Sequence, residues 1–261
     1  MPASDNAALA ASLDAAVRDA GALALTTFQG TLKHWTKGQQ NSPVSEADLA
    51  VDALLKERLA APGVAWLSEE TEDDRARLAA RRVWVVDPID GTRAYIAGLP
   101  EWTISVALVE DSRPVLAALF APATGELFTA LAGGGAACNG TPIRVTSGDT
   151  LAGTRISGPK RAMEDLAIVE PTLAIQPRVP SLALRLARVA QGRFDAAYAG
   201  GNSHDWDLAA ADLLVHEAGG ILTTLAGETA AYNRPEPVHG PLVAAGSSRA
   251  KLLCELLRAR A

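Results

Sequence analysis

Asp87 and Asp90 flank Pro88 in the stretch 84–92, WVVDPIDGT. The run 83–86 before them is β-branched and aromatic without polar alternation, the pattern of a buried strand. Pro88 cannot donate to a sheet ladder and Gly91 admits unusual backbone angles, so the chain must turn where the acids lie. Two carboxylates converging at a strand end repel each other, and burying them is costly unless they share a cation. Hard divalent ions such as Mg²⁺ favour oxygen ligands of this kind. The competing reading is an acidic turn in which Asp90, Gly91 or Thr92 caps a helix.

Further acids have a similar setting. The short apolar run 64–67 ends in Ser68-Glu69-Glu70, which taken alone also reads as a solvated loop. Asp48 falls in the first turn of a helix predicted to start at Ser45, where a carboxylate also complements the helix dipole. Asp207 follows His204-Asp205-Trp206 and leads into an apolar helix over 208–218 that Gly219-Gly220 closes. His34, His216 and His239 stand in no nucleophile–base pattern and read as structural.

The elements that must position these acids follow from periodicity. A helix is expected over 5–28, a strand over 31–37, a polar turn over 38–43, and a helix capped by Ser45 with Val51, Leu55 and Leu59 on its apolar face. The segment 71–82 is charged and reads as exposed. Short strands are expected at 102–109, 114–120, 126–130 and 142–145, with Asn139-Gly140 a hairpin signal. Gly133-Gly134-Gly135 reads as a hairpin loop rather than a phosphate cradle, because no helix pattern follows it. From about residue 150, strands (154–157, 172–175, 194–198, 222–224, 242–245) alternate with helices (161–168, 181–191, 208–218, 247–259). The expected architecture is α+β passing into α/β. Residues 1–148 would carry an antiparallel sheet and most of the acids, and 149–261 an α/β half with the substrate side and Asp207, with a cleft between them.

Composition limits the partners. Of 261 residues, 48% are hydrophobic and 21% charged, as in ordinary globular proteins. A net charge of −6 argues against a nucleic-acid polymer as partner, although a small anion could still meet a local basic patch. Cys138 and Cys254 form no metal-ligand spacing or disulfide framework. No basic segment precedes an apolar core at the N-terminus, and no apolar run approaches the ~18 residues of a membrane span. The expectation is a cytoplasmic protein with no membrane partner.

WVVDPIDGT resembles the signature of the inositol monophosphatase superfamily, the Mg²⁺-dependent, lithium-sensitive phosphomonoesterases. Trp206-Asp207 through Glu217-Ala218-Gly219-Gly220 resembles the second signature, and PVSEAD before Leu49 and Ser68-Glu69-Glu70 also match, in the expected order. The resemblance implies a layered αβαβα sandwich of the inositol monophosphatase/sugar phosphatase type. It implies Glu69, Asp87, Asp90 and Asp207, with the carbonyl of Ile89, as ligands of two or three Mg²⁺. Glu69 would also orient the attacking water, and Thr92 held by Asp48 would position or deprotonate it. Gly91 and Thr92 would offer backbone N–H groups to the phosphate, with Asp90 and Asp207 at the substrate. Lys37 would screen charge beside the substrate, Glu70 would support Glu69, and a homodimer is a further expectation.

Substrate choice is written less clearly. Inositol-type members carry an acid seven positions before the Trp-Asp aspartate, where this chain has Gly200. Arg185, in the Ser181-x-x-x-Arg185 spacing, resembles a basic residue that 3′(2′),5′-bisphosphate nucleotidases of the CysQ type place near the nucleotide. Arg185 and Arg188 read equally as the solvated face of a helix. The expected substrate is a small phosphorylated metabolite, first 3′(2′),5′-bisphosphorylated adenosine, with inositol 1-phosphate or histidinol phosphate as alternatives. A scaffold that binds metal or ligand without turnover is the reading from another class, but all five of Glu69, Asp87, Asp90, Thr92 and Asp207 are present.

Overall fold

The computed structural model describes residues 3–30, 32–37 and 42–259. The run 83–86 forms the middle of β4 (Arg82–Asp90). Val83 and Val85 enter one apolar cluster while Trp84 and Val86 enter another on the opposite face. A strand with both faces covered needs no polar alternation, which is the pattern its sequence shows.

β4 lies second in a seven-stranded sheet ordered β3 (Val64–Ser68), β4, β5 (Thr103–Glu110), β6 (Arg113–Ala121), β7 (Glu126–Leu131), β8 (Gly135–Cys138) and β9 (Thr141–Pro142). β3 runs parallel to β4, and every later pairing is antiparallel. One face is covered by α1 (Ala3–Leu25) and α2 (Glu46–Leu59), with Leu13, Val17 and Leu55 packed on Trp84, Ile104 and Leu108. The other face meets α5 (Leu182–Ala190) and α6 (Asp205–Glu217), whose Leu184, Leu208 and Leu214 pack on Val85, Leu119 and Phe128.

Those two helices are roofed by a five-stranded sheet ordered β11 (Ala174–Ile175), β10 (Arg155–Ser157), β12 (Ala196–Ala199), β16 (Leu242–Ala245) and β14 (Ile221–Thr224). β10 is parallel to β11 and β12, and β16 is antiparallel to β12 and β14. On its outer side α4 (Lys160–Val169) and α7 (Ser247–Arg258) bury Met163, Leu166 and Leu253 against Ile156 and Val243. Helices, sheet, helices, sheet and helices make the αβαβα sandwich. Two short ribbons complete the strands, β1 (His34–Lys37) with β2 (Ser42–Ser45), and β13 (Ser203–His204) with β15 (Val238–His239). No helix among the described residues is long and apolar enough to cross a membrane.

Several expectations are corrected. No strand spans 142–145; instead the glycine triplet runs into β8, and the carboxylate of Glu217 accepts from the backbone N–H of Gly133 and of Gly135, each at 2.8 Å. Asn139 and Gly140, both at positive φ (49° and 76°), then turn β8 into β9, as the hairpin signal predicts. The segment 71–82 is not uniformly exposed: Arg77 is buried, its guanidinium donating to Asp73, Asn233 and the carbonyl of Arg234. Of the expected turn over 38–43, residues 38–41 lie outside the described residues, and Pro43 belongs to β2. The helix expected from 5 starts at Ala3, and α6 starts three residues before the expected 208.

Candidate active site

Three strand or helix ends meet where the acids lie. The pairing of β4 with β5 shifts register between Asp87 and Asp90, so Pro88 and Ile89 sit in an irregularity that needs no ladder donor from the proline. The backbone N–H of Ile89 donates to Asp87 Oδ1 at 3.0 Å, fixing the first carboxylate within the turn. Gly91 follows at φ 93°; a Cβ there would lie 3.0 Å from the carbonyl oxygen of Glu101 and 3.3 Å from Ser181 Cβ. Only glycine fits both the backbone and the space.

Asp90 is held by the start of α5. Ser181 Oγ donates to Asp90 Oδ2 at 2.6 Å, Ala183 N to the same oxygen at 2.7 Å, and Leu182 N to Oδ1 at 3.2 Å. The carboxylate therefore lies on a helix N-terminus as well as among the other acids. Asp207, in the first turn of α6, accepts from the backbone N–H of His204 at 2.6 Å. One oxygen from each of Asp87, Asp90 and Asp207 lies within 4.8 Å of the others. Glu69, just after β3, faces the same cleft, and its Oε1 lies 3.4 Å from Lys37 Nζ.

Asp48 and Thr92 also meet. Ser45 donates its backbone N–H (2.8 Å) and its hydroxyl (2.5 Å) to Asp48 Oδ2, closing the start of α2. Asp48 Oδ1 stays directed at the Thr92 hydroxyl, 3.3 Å away, and the same hydroxyl lies 3.1 Å from the carbonyl oxygen of Ile89. The capping role and the contact with Thr92 coexist, because the two carboxylate oxygens face different partners.

Burial dominates the electrostatics. It pushes Asp87 and Asp207 well above the usual carboxylate range, with the neighbouring acids adding to the effect. Asp90 is raised by burial while its donors from Ser181, Ala183 and Leu182 oppose the shift. Burial lifts Glu69 to about 7 against the opposing charge of Lys37, and Asp48 to about 6 against the donors of Ser45. Among the described residues no lysine or arginine forms an ion pair with Asp87, Asp90 or Asp207. An oxygen-only set of converging carboxylates, Asp87 and Asp90 buried and Asp207 half-buried, none of them ion-paired to a lysine or arginine, fits a hard divalent cation.

The substrate-side expectations separate. Lys37 Nζ donates to the carbonyl of Glu69 (3.1 Å) and to Glu70 Oε1 (2.5 Å), so it bridges both glutamates behind the cleft. Arg185 is buried, its guanidinium donating to the carbonyl oxygens of Val179 (2.8 Å) and Tyr198 (3.4 Å), while Arg188 grips both oxygens of Glu126 at 2.6 Å. Neither belongs to a solvated helix face, because α5 lies between two sheets. Gly200 follows the end of β12, and His204 stacks on Trp206 with ring centroids 4.6 Å apart. Asp205 is fully buried, accepting from Asn233 N and paired with His239 Nε2, each at 2.7 Å, which ties the β13–β15 ribbon to α6.

Glu69, Asp87, Asp90, Asp207 and Thr92 line a cleft of about 560 Å³, shared with Arg93, Leu99, Arg178, Pro180 and Asn202. Sequence reasoning missed Arg93, although it directly follows the quoted motif, and Arg178, which belongs to no motif. It also missed Ser181 as the partner of Asp90; its position as N-cap of α5 was the available signal.

Comparison with known proteins agrees with the fold. The family profile described as the inositol monophosphatase family matches residues 5–260. The chain is 38% identical over 196 residues to an inositol-1-monophosphatase of Rhizobium meliloti, covering 70% of this chain and 73% of the relative. It is 33% identical over 218 residues to a 3′(2′),5′-bisphosphate nucleotidase CysQ of Aggregatibacter actinomycetemcomitans, covering 78% and 80%. The crystal structure of the extragenic suppressor protein suhB from Bartonella henselae superposes with a TM-score of 0.84 at 27% identity, over 97% of this chain and 100% of that one.

Proposed function

The chain belongs to the inositol monophosphatase family, and from that membership we propose a Mg²⁺-dependent phosphomonoesterase that removes one phosphate from 3′(2′),5′-bisphosphorylated adenosine to leave AMP. The observation that carries the phosphatase reading is the convergence of Asp87, Asp90 and Asp207 within 4.8 Å, beside Thr92 and Asp48. In this proposal Glu69, Asp87, Asp90, Asp207 and the carbonyl of Ile89 hold two or three Mg²⁺. When bound, the ions would polarise the phosphoryl group and make water a competent nucleophile. Thr92, its hydroxyl shared between Asp48 and Ile89, orients that water, and Glu69 faces it from just past the end of β3. Gly91 and Thr92 present backbone N–H groups to the phosphate, and Lys37 keeps Glu69 and Glu70 in place. Water oxygen attacks phosphorus, the bond to the ribose oxygen breaks, and that oxygen leaves with a proton.

The nucleotide substrate draws support from the CysQ relative and from Gly200, which supplies no carboxylate for sugar hydroxyls. The inositol-1-monophosphatase relative supports inositol 1-phosphate as the second reading, with histidinol phosphate behind it. The proposal includes lithium sensitivity, a cytoplasmic location, a homodimer, and a division after residue 148 that leaves the seven-stranded sheet on one side and the five-stranded sheet on the other. The test is Mg²⁺-dependent phosphate release from adenosine 3′,5′-bisphosphate, inositol 1-phosphate, histidinol phosphate, fructose 1,6-bisphosphate and AMP, each with an EDTA control. A kcat/KM for the adenosine bisphosphate about tenfold above the others is the expected result. Preference for another substrate overturns the nucleotide assignment, and no release from any favours a non-catalytic scaffold.

A further inference from the structure

Among the described residues, two arginines in the cleft have no partner. Arg93, on the short helix α3 (Thr92–Ile96), and Arg178, three residues before Ser181, are both exposed and both line the cleft whose floor carries the acids. Among the described residues neither guanidinium donates a hydrogen bond or forms an ion pair. A cation present only to offset the acids would pair with them, as Lys37 does with Glu69 and Glu70. Elsewhere on the chain some exposed arginines find carboxylates, Arg81 meeting Glu110 and Asp111 and Arg58 meeting Asp19, while Arg144 and Arg161, which find none among the described residues, do not line this cleft.

Their placement follows from one contact. Ser181 packs on Gly91, where a Cβ would lie 3.3 Å from the serine's Cβ and from its backbone nitrogen. That contact joins the approach to α5 to the turn after Asp90, so Arg93 and Arg178 flank the seam on the cleft side. A planar guanidinium presents a fork of N–H donors that matches phosphate or carboxylate oxygens. Leu99 and Pro180 line the same cleft and offer apolar surface to an organic body. A cleft of about 560 Å³ is large enough for a nucleotide-sized ligand.

Resting on the phosphomonoesterase reading, we propose that Arg93 and Arg178 form the subsite for a second anionic group of the substrate, a phosphate distinct from the one cleaved. Arg185, the basic residue that the sequence pattern singles out, is occupied with carbonyls and has no role there. The substrate class is therefore a bisphosphorylated small molecule rather than a simple monoester.

The test compares matched pairs that share the cleaved phosphate: adenosine 3′,5′-bisphosphate with 3′-AMP, and inositol 1,4-bisphosphate with inositol 1-phosphate. Wild type, Arg93→Gln, Arg178→Gln and the double variant are assayed with Mg²⁺. The wild type is expected to prefer the bisphosphate in at least one pair. The double variant is expected to reduce that kcat/KM ratio by at least about tenfold. A wild type indifferent to the second phosphate, or a ratio the variants leave unchanged, overturns the subsite while the phosphatase reading stands. If wild type releases phosphate from nothing, that reading fails instead, and the subsite is judged by calorimetric titration in Ca²⁺. Adenosine 3′,5′-bisphosphate must then bind about tenfold more tightly than 3′-AMP, with the difference lost in the double variant; equal affinities overturn it.

Discussion

Ser181 Oγ donates to Asp90 Oδ2 at 2.6 Å across 91 residues of sequence, and the same oxygen atom of Ser181 accepts from Leu184 N at 3.0 Å. One hydroxyl thus caps α5 and restrains an acid of the cleft, so the start of a helix beneath one sheet sets a carboxylate at the edge of the other. Ser181→Ala removes both interactions. It is expected to lower stability by about 1–2 kcal/mol in urea unfolding with EDTA, and to weaken Mg²⁺ binding by calorimetry. Lost stability with unchanged Mg²⁺ affinity would confine the serine to capping.

The buried acids repel when no cation is bound. Adding Mg²⁺ to EDTA-treated protein is therefore expected to raise the Tm, by an amount equivalent to about 2.7 kcal/mol at a hundredfold excess over Kd. Asp87→Asn removes one repelling charge. It is expected to match or exceed the wild-type Tm in EDTA, lose most of the Mg²⁺-induced rise, and lower phosphate release by at least about a hundredfold. A normal Mg²⁺ response in this variant would remove Asp87 from the metal ligands.

Thr92→Ala leaves the carboxylates in place and deletes the hydroxyl that lies 3.3 Å from Asp48. Its kcat is expected to fall about a hundredfold or more, with the Mg²⁺ concentration for half-maximal activity moving less than about threefold. Equal effects on both would make Thr92 a structural residue of the turn.

Stability in acid has a separate source. Arg188 holds Glu126 through two bonds of 2.6 Å and lowers its pKa to about 2 from an ordinary 4.5. A carboxylate depressed in the folded state adds stability above its unfolded pKa and loses it as pH falls toward the folded value. The difference in unfolding free energy between wild type and Glu126→Gln, measured in EDTA, is thus expected to shrink as pH falls from about 4.5 to about 2. A difference that is constant across that window would show that the pair does not set the acid limb.

The acids of the cleft are legible in residue order because each is tied to a local device. Asp87 and Asp90 stand at a proline irregularity, Glu69 follows a strand end, and Asp48 and Asp207 stand in first helical turns. Such devices are set by backbone chemistry within a few residues, and so is the strand 83–86, whose unbroken apolar pattern reports two covered faces. The arginines are different. Arg93, Arg178, Arg185 and Arg188 are alike in sequence, and which of them faces the cleft depends on what packs around α5. Because that helix lies between two sheets, Arg185 must satisfy its donors on the carbonyls of Val179 and Tyr198, and Arg188 on Glu126. The Ser181–Gly91 contact leaves Arg178 and Arg93 at the cleft instead. Long flexible side chains take their partners from tertiary packing, and no spacing rule within the chain could have distinguished them.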